Sequence, residues 1–325
     1  MLSDFDFELP AGLIAQRPVR PRDHARLLVY NRKTRRIIDE HFYNLDKYLV
    51  DKTSLVLNDS KVEKCRLGFG STEVFVLETL DNFTVRALVR PGKEFLPGKT
   101  TRPASALRVE TLAVDADGVR TLKLSKELGD PDLDKYRQTP LPPYIKPDES
   151  LAADYQTVYA RAQGSKAAPT AGLHFTRRQL AELGGRFNII RLTLHVGLGT
   201  FAPVKSDDIS QHKMHSEDYF LSAKAASQLN KSSHLTAVGT TSLRCLESIN
   251  RPFTEASGST DIFITPGYKF KNVDSLVTNF HLPRSTLLML VAAFLGSVDE
   301  LHKIYQHAIT QKYRFYSFGD AMLII

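Results

Sequence analysis

Between Val62 and Tyr144 the chain alternates apolar and polar residues in short runs: EVFVLETL, FTVRALV, LRVETLAV and VRTLKL. A period of two with β-branched residues predicts half-buried strands. RPGKEFLPGK and DADG separate these runs with turn chemistry, which suits a small barrel or sandwich. The proline-rich TPLPPYIKPDES then closes the stretch as a linker. After about Leu151 the pattern becomes strand alternating with helix. Thr176 predicts a helix N-cap, Gln179 completes a capping box ahead of QLAEL, and Gly184–Gly185 stops that helix. NIIRLTLHV reads as a strand, and LTAVG as another that leads through TTS into the helix LRCLESIN. DIFIT reads as a third, and SLVTNF as a fourth that runs through HLPRS into the apolar helix TLLMLVAAFL. ARLLVYN and SLVLND add two candidate strands near the amino terminus.

Strand alternating with helix argues for an α/β fold, a mainly parallel sheet with helices on both faces. Residues 1–61 and 151–325 are expected to share that sheet as one discontinuous catalytic domain. Residues 62–150 are expected to form an inserted, small all-β barrel-like domain with a proline-rich exit linker.

Composition narrows the class. The chain has 325 residues and only two cysteines, Cys65 and Cys245, so no disulfide framework or CxxC metal clamp is available. The longest apolar run, Leu287 to Leu295, is too short to span a bilayer. MLSDFDFELP has no signal-peptide texture, and a cytoplasmic setting is expected. The net charge of +7 permits a polyanionic partner without demanding one, because the basic residues are scattered.

In open α/β sheets ligands bind beyond the carboxyl ends of the strands. Asn58–Asp59, His195, Thr240–Thr241 and Asn279–His281 fall at those ends. GTTS ahead of a helix offers free backbone N–H groups and hydroxyls as an anion cradle; a plain cap from Thr241 or Ser242 stays equally open. GLGT is too short to be a dinucleotide loop. His212 and His215 could share a helical face, but no third metal ligand stands near. Glu217 could orient an imidazole, or be one more exposed carboxylate. Tyr155 and Tyr159 suit base stacking or core packing. The residues by themselves yield an α/β enzyme with a histidine-lined site, and no reaction. A non-catalytic RNA-binding module would account equally well for the charge and the β insertion.

Longer stretches carry more. SDFDFELPAGLIAQRPVRPRDHARLLV, LVLNDSKV, ALVRPGK, AAPTAGLHFT, LHVGLGTFAPVK, HKMHSEDY, AVGTTSLRCLE, TNFHLPRSTLLMLVAAF and YRFYSFGDAML occur in order along nearly the whole chain. With these motifs the chain resembles the S-adenosylmethionine:tRNA ribosyltransferase-isomerases of queuosine biosynthesis. A methyltransferase using the same donor is the rival enzyme, and the glycine-rich strand-to-helix loop it would need is missing. The resemblance implies a tRNA whose wobble base is 7-aminomethyl-7-deazaguanine. S-adenosylmethionine gives up its ribosyl carbons, adenine and methionine leave, and epoxyqueuosine results. It implies no cofactor beyond S-adenosylmethionine as consumed co-substrate, no metal, and a monomer. His174, His195, His215, Glu217 and His281 become the acid–base candidates. Asn58, Asp59, Thr170, Gly172, Thr200, Thr240, Thr241, Arg244, Asn279 and Tyr155 become the substrate-binding candidates. Lys61, Arg66, Arg90 and Lys93 become the phosphate contacts for tRNA.

Overall fold

The computed structural model describes residues 1–197, 204 and 207–325. The chain divides into two compact units. The larger comprises Met1–Lys61, Pro142–Pro147 and Ala153–Ile325, and the smaller Val62–Leu141 and Asp148–Ala152. Pro142–Pro147, expected with the insertion, thus belongs to the larger unit. Gln16 holds it there on both sides, donating from Nε2 to the Tyr144 carbonyl (2.9 Å) and accepting the Lys146 N–H (3.0 Å).

The larger unit is built on a nine-stranded sheet. In chain order its strands are β1 (Arg26–Asn31), β2 (Arg36–His41), β3 (Ser54–Asn58), β4 (Asn188–Leu194) and β5 (Glu217–Leu221). The rest are β6 (Leu235–Val238), β7 (Ala256–Thr260), β8 (Ser275–Asn279) and β9 (Ala321–Ile324). The spatial order is β7-β5-β4-β3-β6-β8-β9-β1-β2. Only β4-β3-β6-β8 run parallel as a block, with β9 and β1 a further parallel pair. The β7-β5, β5-β4, β8-β9 and β1-β2 pairings are antiparallel. The sheet is therefore mixed, which corrects the expectation of a mainly parallel one. Of these pairings β1-β2 is a hairpin, a connection that pairs antiparallel, while the helices Thr286–Leu295 and Val298–Thr310 lie between β8 and β9 in the chain. DIFIT is not a strand. Ala256–Thr260 ahead of it pairs with β5, the Ile262 N–H turns onto Thr260 Oγ1 (3.2 Å), and Ile264 drops into the core.

Alternate strand residues feed two cores, as the two-residue period requires. Leu28, Tyr30, Val56, Ile190 and Leu192 enter one, with helices α2 (Ala223–Asn230), α3 (Thr240–Ser248), α4 (Thr286–Leu295) and α5 (Val298–Thr310). Leu27, Val29, Leu55 and Leu57 enter the other, with α1 (Arg177–Gly184) and the 3-10 turn Phe42–Lys47. Thr176 caps α1 through the Gln179 N–H (3.1 Å), but no capping box closes, because Gln179 Nε2 donates to the Phe42 carbonyl (2.7 Å). Ser285 caps the apolar α4, and Gly296 ends it in the left-handed region (φ 77°). Among the described residues no helix is long and apolar enough to cross a membrane.

The smaller unit is one seven-stranded sheet with every pairing antiparallel. Its strands cover the four alternating runs as Thr72–Thr79, Thr84–Arg90, Leu107–Val114 and Arg120–Leu124. Register shifts at Val76/Glu78, Thr101/Ala104 and Thr121/Leu122 bend the sheet.

Candidate functional site

The parallel register Val238↔Val277 sets the ends of β6 and β8 side by side. The residues that follow, Gly239–Thr241 and Thr278–His281, form one wall of a cavity of about 420 Å³ within the larger unit. The 3-10 turn Thr170–His174 supplies Thr170 and Ala171, and Tyr144, Arg284 and Tyr316 complete much of the rest. This volume lies in the range of small-molecule sites. Gly239 adopts φ 89°, conformational freedom that a side chain would lose, and swings the chain from β6 into α3.

No side chain caps α3. Ser242 Oγ instead donates back to the Val238 carbonyl (2.8 Å), and Thr241 Oγ1 is buried with no partner among the described residues. The N–H groups of a first helical turn have no intrahelical acceptor and carry the positive end of the helix dipole. The capping alternative for Thr241 and Ser242 therefore fails.

Asn279 is oriented from two sides. Its Nδ2 lies 3.2 Å from the Tyr316 carbonyl, which can only accept, and 3.0 Å from His174 Nε2. Both amide hydrogens are thereby used, His174 must accept at Nε2, and the imidazole is neutral with its proton on Nδ1. Asn279 Oδ1 is left buried without a partner among the described residues, on a side chain that lines the cavity. Tyr316 makes its carbonyl available from a left-handed backbone (φ 74°), a strained conformation for an aromatic residue. His174 itself is one layer behind the wall, packed against Phe42 with ring centroids 5.1 Å apart.

His281 lines the cavity directly, with Nε2 2.9 Å from Thr278 Oγ1. Burial pushes its imidazole down to about 3. Burial likewise pushes His174 down to about 4, although Asp320 opposes the shift. Both rings are neutral when folded, whereas an unfolded histidine takes up a proton near pH 6.5. The stability this confers is complete above about pH 6.5 and is lost as the pH falls toward the folded values. Each ring should contribute a slope of about 1.4 kcal/mol per pH unit through that window. Denaturant titrations between pH 6 and 4.5 should show a slope smaller by about that amount in His281→Gln. An equal slope in both chains would remove burial of a neutral imidazole as its cause.

Several sequence candidates lie away from the cavity. Asn58 is fully buried and spends its amide on the backbone of Leu194, donating to the carbonyl and accepting the N–H, both at 2.9 Å. Asp59 accepts from Thr193 Oγ1 (2.7 Å), so this pair clamps β3 to β4 rather than holding substrate. Gly172 lets the chain pass the Tyr159 hydroxyl, where any Cβ would collide. Tyr155 is completely buried and meets Phe318 edge to face, so it presents no face to a base. Glu217 and Arg244 form a buried ion pair at 2.5 Å, with Glu217 Oε1 also accepting the Gly197 N–H (2.9 Å). An exposed carboxylate beside His215 is thereby excluded, and His215 itself is exposed. His195 is half-buried against Gly164, and it is not part of the cavity wall. Of the four candidate histidines, His281 lines the cavity and His174 reaches it through Asn279. Thr200 lies outside the described residues. Among the described residues no cluster of three His, Cys, Asp or Glu could hold a metal.

In the smaller unit, Arg90 and Lys93 are exposed, while Arg66 is half-buried beside Glu73 (3.7 Å) and over the Phe75 ring. Lys61 is exposed in the larger unit. Tyr144, Arg284 and Tyr316 line the cavity and were not foreseen. Tyr144 and Tyr316 pack with ring centroids 4.1 Å apart, and the Tyr144 hydroxyl meets Ser317 Oγ at 2.6 Å. Their one sequence signal is membership of TPLPPYI and YRFYSFGDAML.

A model of the queuosine biosynthesis protein family matches residues 2–324. The chain is 47% identical to an S-adenosylmethionine:tRNA ribosyltransferase-isomerase of Clostridium kluyveri, over 99% of both chains. It is 48% identical to the enzyme of that name from Symbiobacterium thermophilum, over 100% of this chain and 99% of the other. The crystal structure of S-adenosylmethionine tRNA ribosyltransferase from Thermotoga maritima aligns over 99% of this chain and 100% of that one. Its TM-score is 0.58 at 37% identity.

Proposed function

The chain belongs to the queuosine biosynthesis protein family, and from that premise we infer that it is a ribosyltransferase-isomerase acting on tRNA. It transfers and isomerises the ribosyl moiety of S-adenosylmethionine onto 7-aminomethyl-7-deazaguanine at the wobble position. Epoxyqueuosine-tRNA forms, and adenine and methionine leave. A tRNA substrate of this kind supports a cytoplasmic setting for the reaction.

One observation carries the assignment of the site. A single cavity gathers a neutral imidazole, a bare helix start, and an amide oxygen and a hydroxyl without partners among the described residues. The sulfonium of the donor acidifies the ribose carbon bonded to it. His281, uncharged at neutral pH and on the cavity wall, suits acceptance of that proton as the sugar opens and adenine departs. The amine of the tRNA base then adds to the carbon whose ring C–O bond has broken, losing its proton to solvent; the sulfur-stabilised carbanion so formed closes the ring on the carbonyl left by adenine, and the resulting alkoxide displaces methionine as the epoxide forms. Thr241 Oγ1 and the first N–H groups of α3 suit the donor's carboxylate. Asn279 Oδ1 suits a substrate N–H, since no described residue satisfies it. Tyr144 and Tyr316 offer aromatic surface to a flat base.

Incubation with S-adenosylmethionine and precursor tRNA tests the reading. Free adenine with methionine is the expected result. S-adenosylhomocysteine would assign a methyltransferase, and tRNA binding without product would assign a binding module.

A further inference from the structure

A second concavity of the larger unit, about 560 Å³, runs over β3 and β4 between α1 and α2. Arg161, Arg177, Arg191 and Lys224 line it, and all four are exposed. We propose that this groove, rather than the smaller unit, holds backbone phosphates of the substrate tRNA, an inference that rests on the tRNA-modifying reading above.

Charge is the first argument. Lone surface cations are ordinarily just solvated, but here four converge and no Asp or Glu appears among the described lining residues. Neighbouring cations are compensated: Arg178 faces Asp23 and Glu182, and Arg186 pairs with Asp46. None of the four groove side chains takes part in a described ion pair or hydrogen bond. A groove lined by one sign of charge focuses potential and attracts a polyanion. Phosphate contacts by Arg and Lys set register and affinity.

The distribution of charge over the chain is the second. The smaller unit carries thirteen Lys and Arg against fourteen Asp and Glu, while the larger carries thirty against twenty-two. Arg66, Arg86, Lys126 and Arg137 of the smaller unit already face Glu73, Asp115, Asp130 and Asp134. The excess positive charge resides in the larger unit.

Rigidity and place are the third. Arg191 projects from β4 between buried Ile190 and Leu192, and the Arg161 N–H is fixed to the Asp59 carbonyl (2.7 Å). Tyr159 forms part of the groove and packs against Gly172, the residue after the cavity-lining Ala171. Groove and cavity thus both meet the turn Thr170–His174, the groove through Tyr159 against Gly172 and the cavity through Thr170 and Ala171, so a strand gripped in the first can present a nucleotide to the second.

Two double variants test this, Arg161→Gln/Arg191→Gln and Arg177→Gln/Lys224→Gln, with Arg90→Gln/Lys93→Gln as comparison. Precursor tRNA is titrated at several salt concentrations, and adenine release is followed in parallel. Each groove variant should lower the slope of log affinity against log salt by about 0.7 to 0.9 for every phosphate it no longer neutralises. KM for tRNA should rise while kcat and affinity for S-adenosylmethionine hold. Wild-type slopes in both groove variants, or a reduced slope only in Arg90→Gln/Lys93→Gln, would overturn the proposal. If the wild-type chain released no adenine, the functional reading would fall as well, which separates the two failures.

Discussion

Turnover of His281→Ala is expected to fall by about 100- to 10,000-fold with the fold retained, the loss that follows removal of a general acid or base. Of the two buried histidines it alone lines the cavity, and burial keeps it neutral. A ring held down to about 3 gives no acid limb in the rate profile near pH 6.5. The wild-type limb should therefore sit well below the ordinary histidine value. His174→Leu should behave differently. The His174 ring is not part of that cavity's wall, and its Nε2 orients Asn279, so the effect should appear as weaker binding of S-adenosylmethionine. Leaving a buried donor unsatisfied costs about 1 to 3 kcal/mol, or roughly 5- to 150-fold in affinity. Single-turnover rates with saturating donor separate the two variants. Full single-turnover activity in His281→Ala would clear it of proton transfer.

The elements with strong periodicity were legible from the chain. β3, β4, β6 and β8 are largely apolar runs that end in polar residues or lead into them, and α4 is an apolar run with a serine cap and a terminal glycine. The strands that make the sheet mixed were not. β2 is RIIDEH, an edge strand whose charges blur the alternation, and β5 is EDYFL, too short to show a period. β9 pairs antiparallel with β8 only after α4, α5 and the turn Tyr316–Gly319, beyond which Asp320 Oδ2 accepts the Arg314 N–H (2.7 Å). That partnership lies in tertiary structure.

The site was legible to the extent that topology defines it. Thr240, Thr241, Asn279 and His281 follow the ends of adjacent parallel strands, and such ends are where ligands bind. Asn58 follows the same rule and fails it, because its side chain turns sideways into β4 instead of onward into the cavity. Tyr144 and Tyr316 lie 172 positions apart in segments with no period, so only folding brings their rings together. Motif membership marked the neighbourhoods, while side-chain direction decided which members reach substrate.

Glu217 shows how far that decision reaches, and Glu217→Ala should be the most destabilising of these substitutions. Both partners of the ion pair are almost wholly buried, Arg244 at 3% exposure and Glu217 at 4%. Removing the carboxylate leaves a guanidinium in the core with no counter-charge, beside a Gly197 N–H that loses its acceptor. Breaking such a pair from one side costs about 3 to 5 kcal/mol, a drop on the order of 10 °C in melting temperature for a unit of this size. The double variant Glu217→Leu/Arg244→Met should recover much of the loss, because apolar residues of similar volume replace a buried pair at little cost. Calorimetry of the two chains, with adenine release measured per folded molecule, reads both consequences. Recovered stability with near-normal turnover makes the pair a brace for β5 and α3. Recovered stability with turnover still down by orders of magnitude would return Glu217 to the acid–base chemistry.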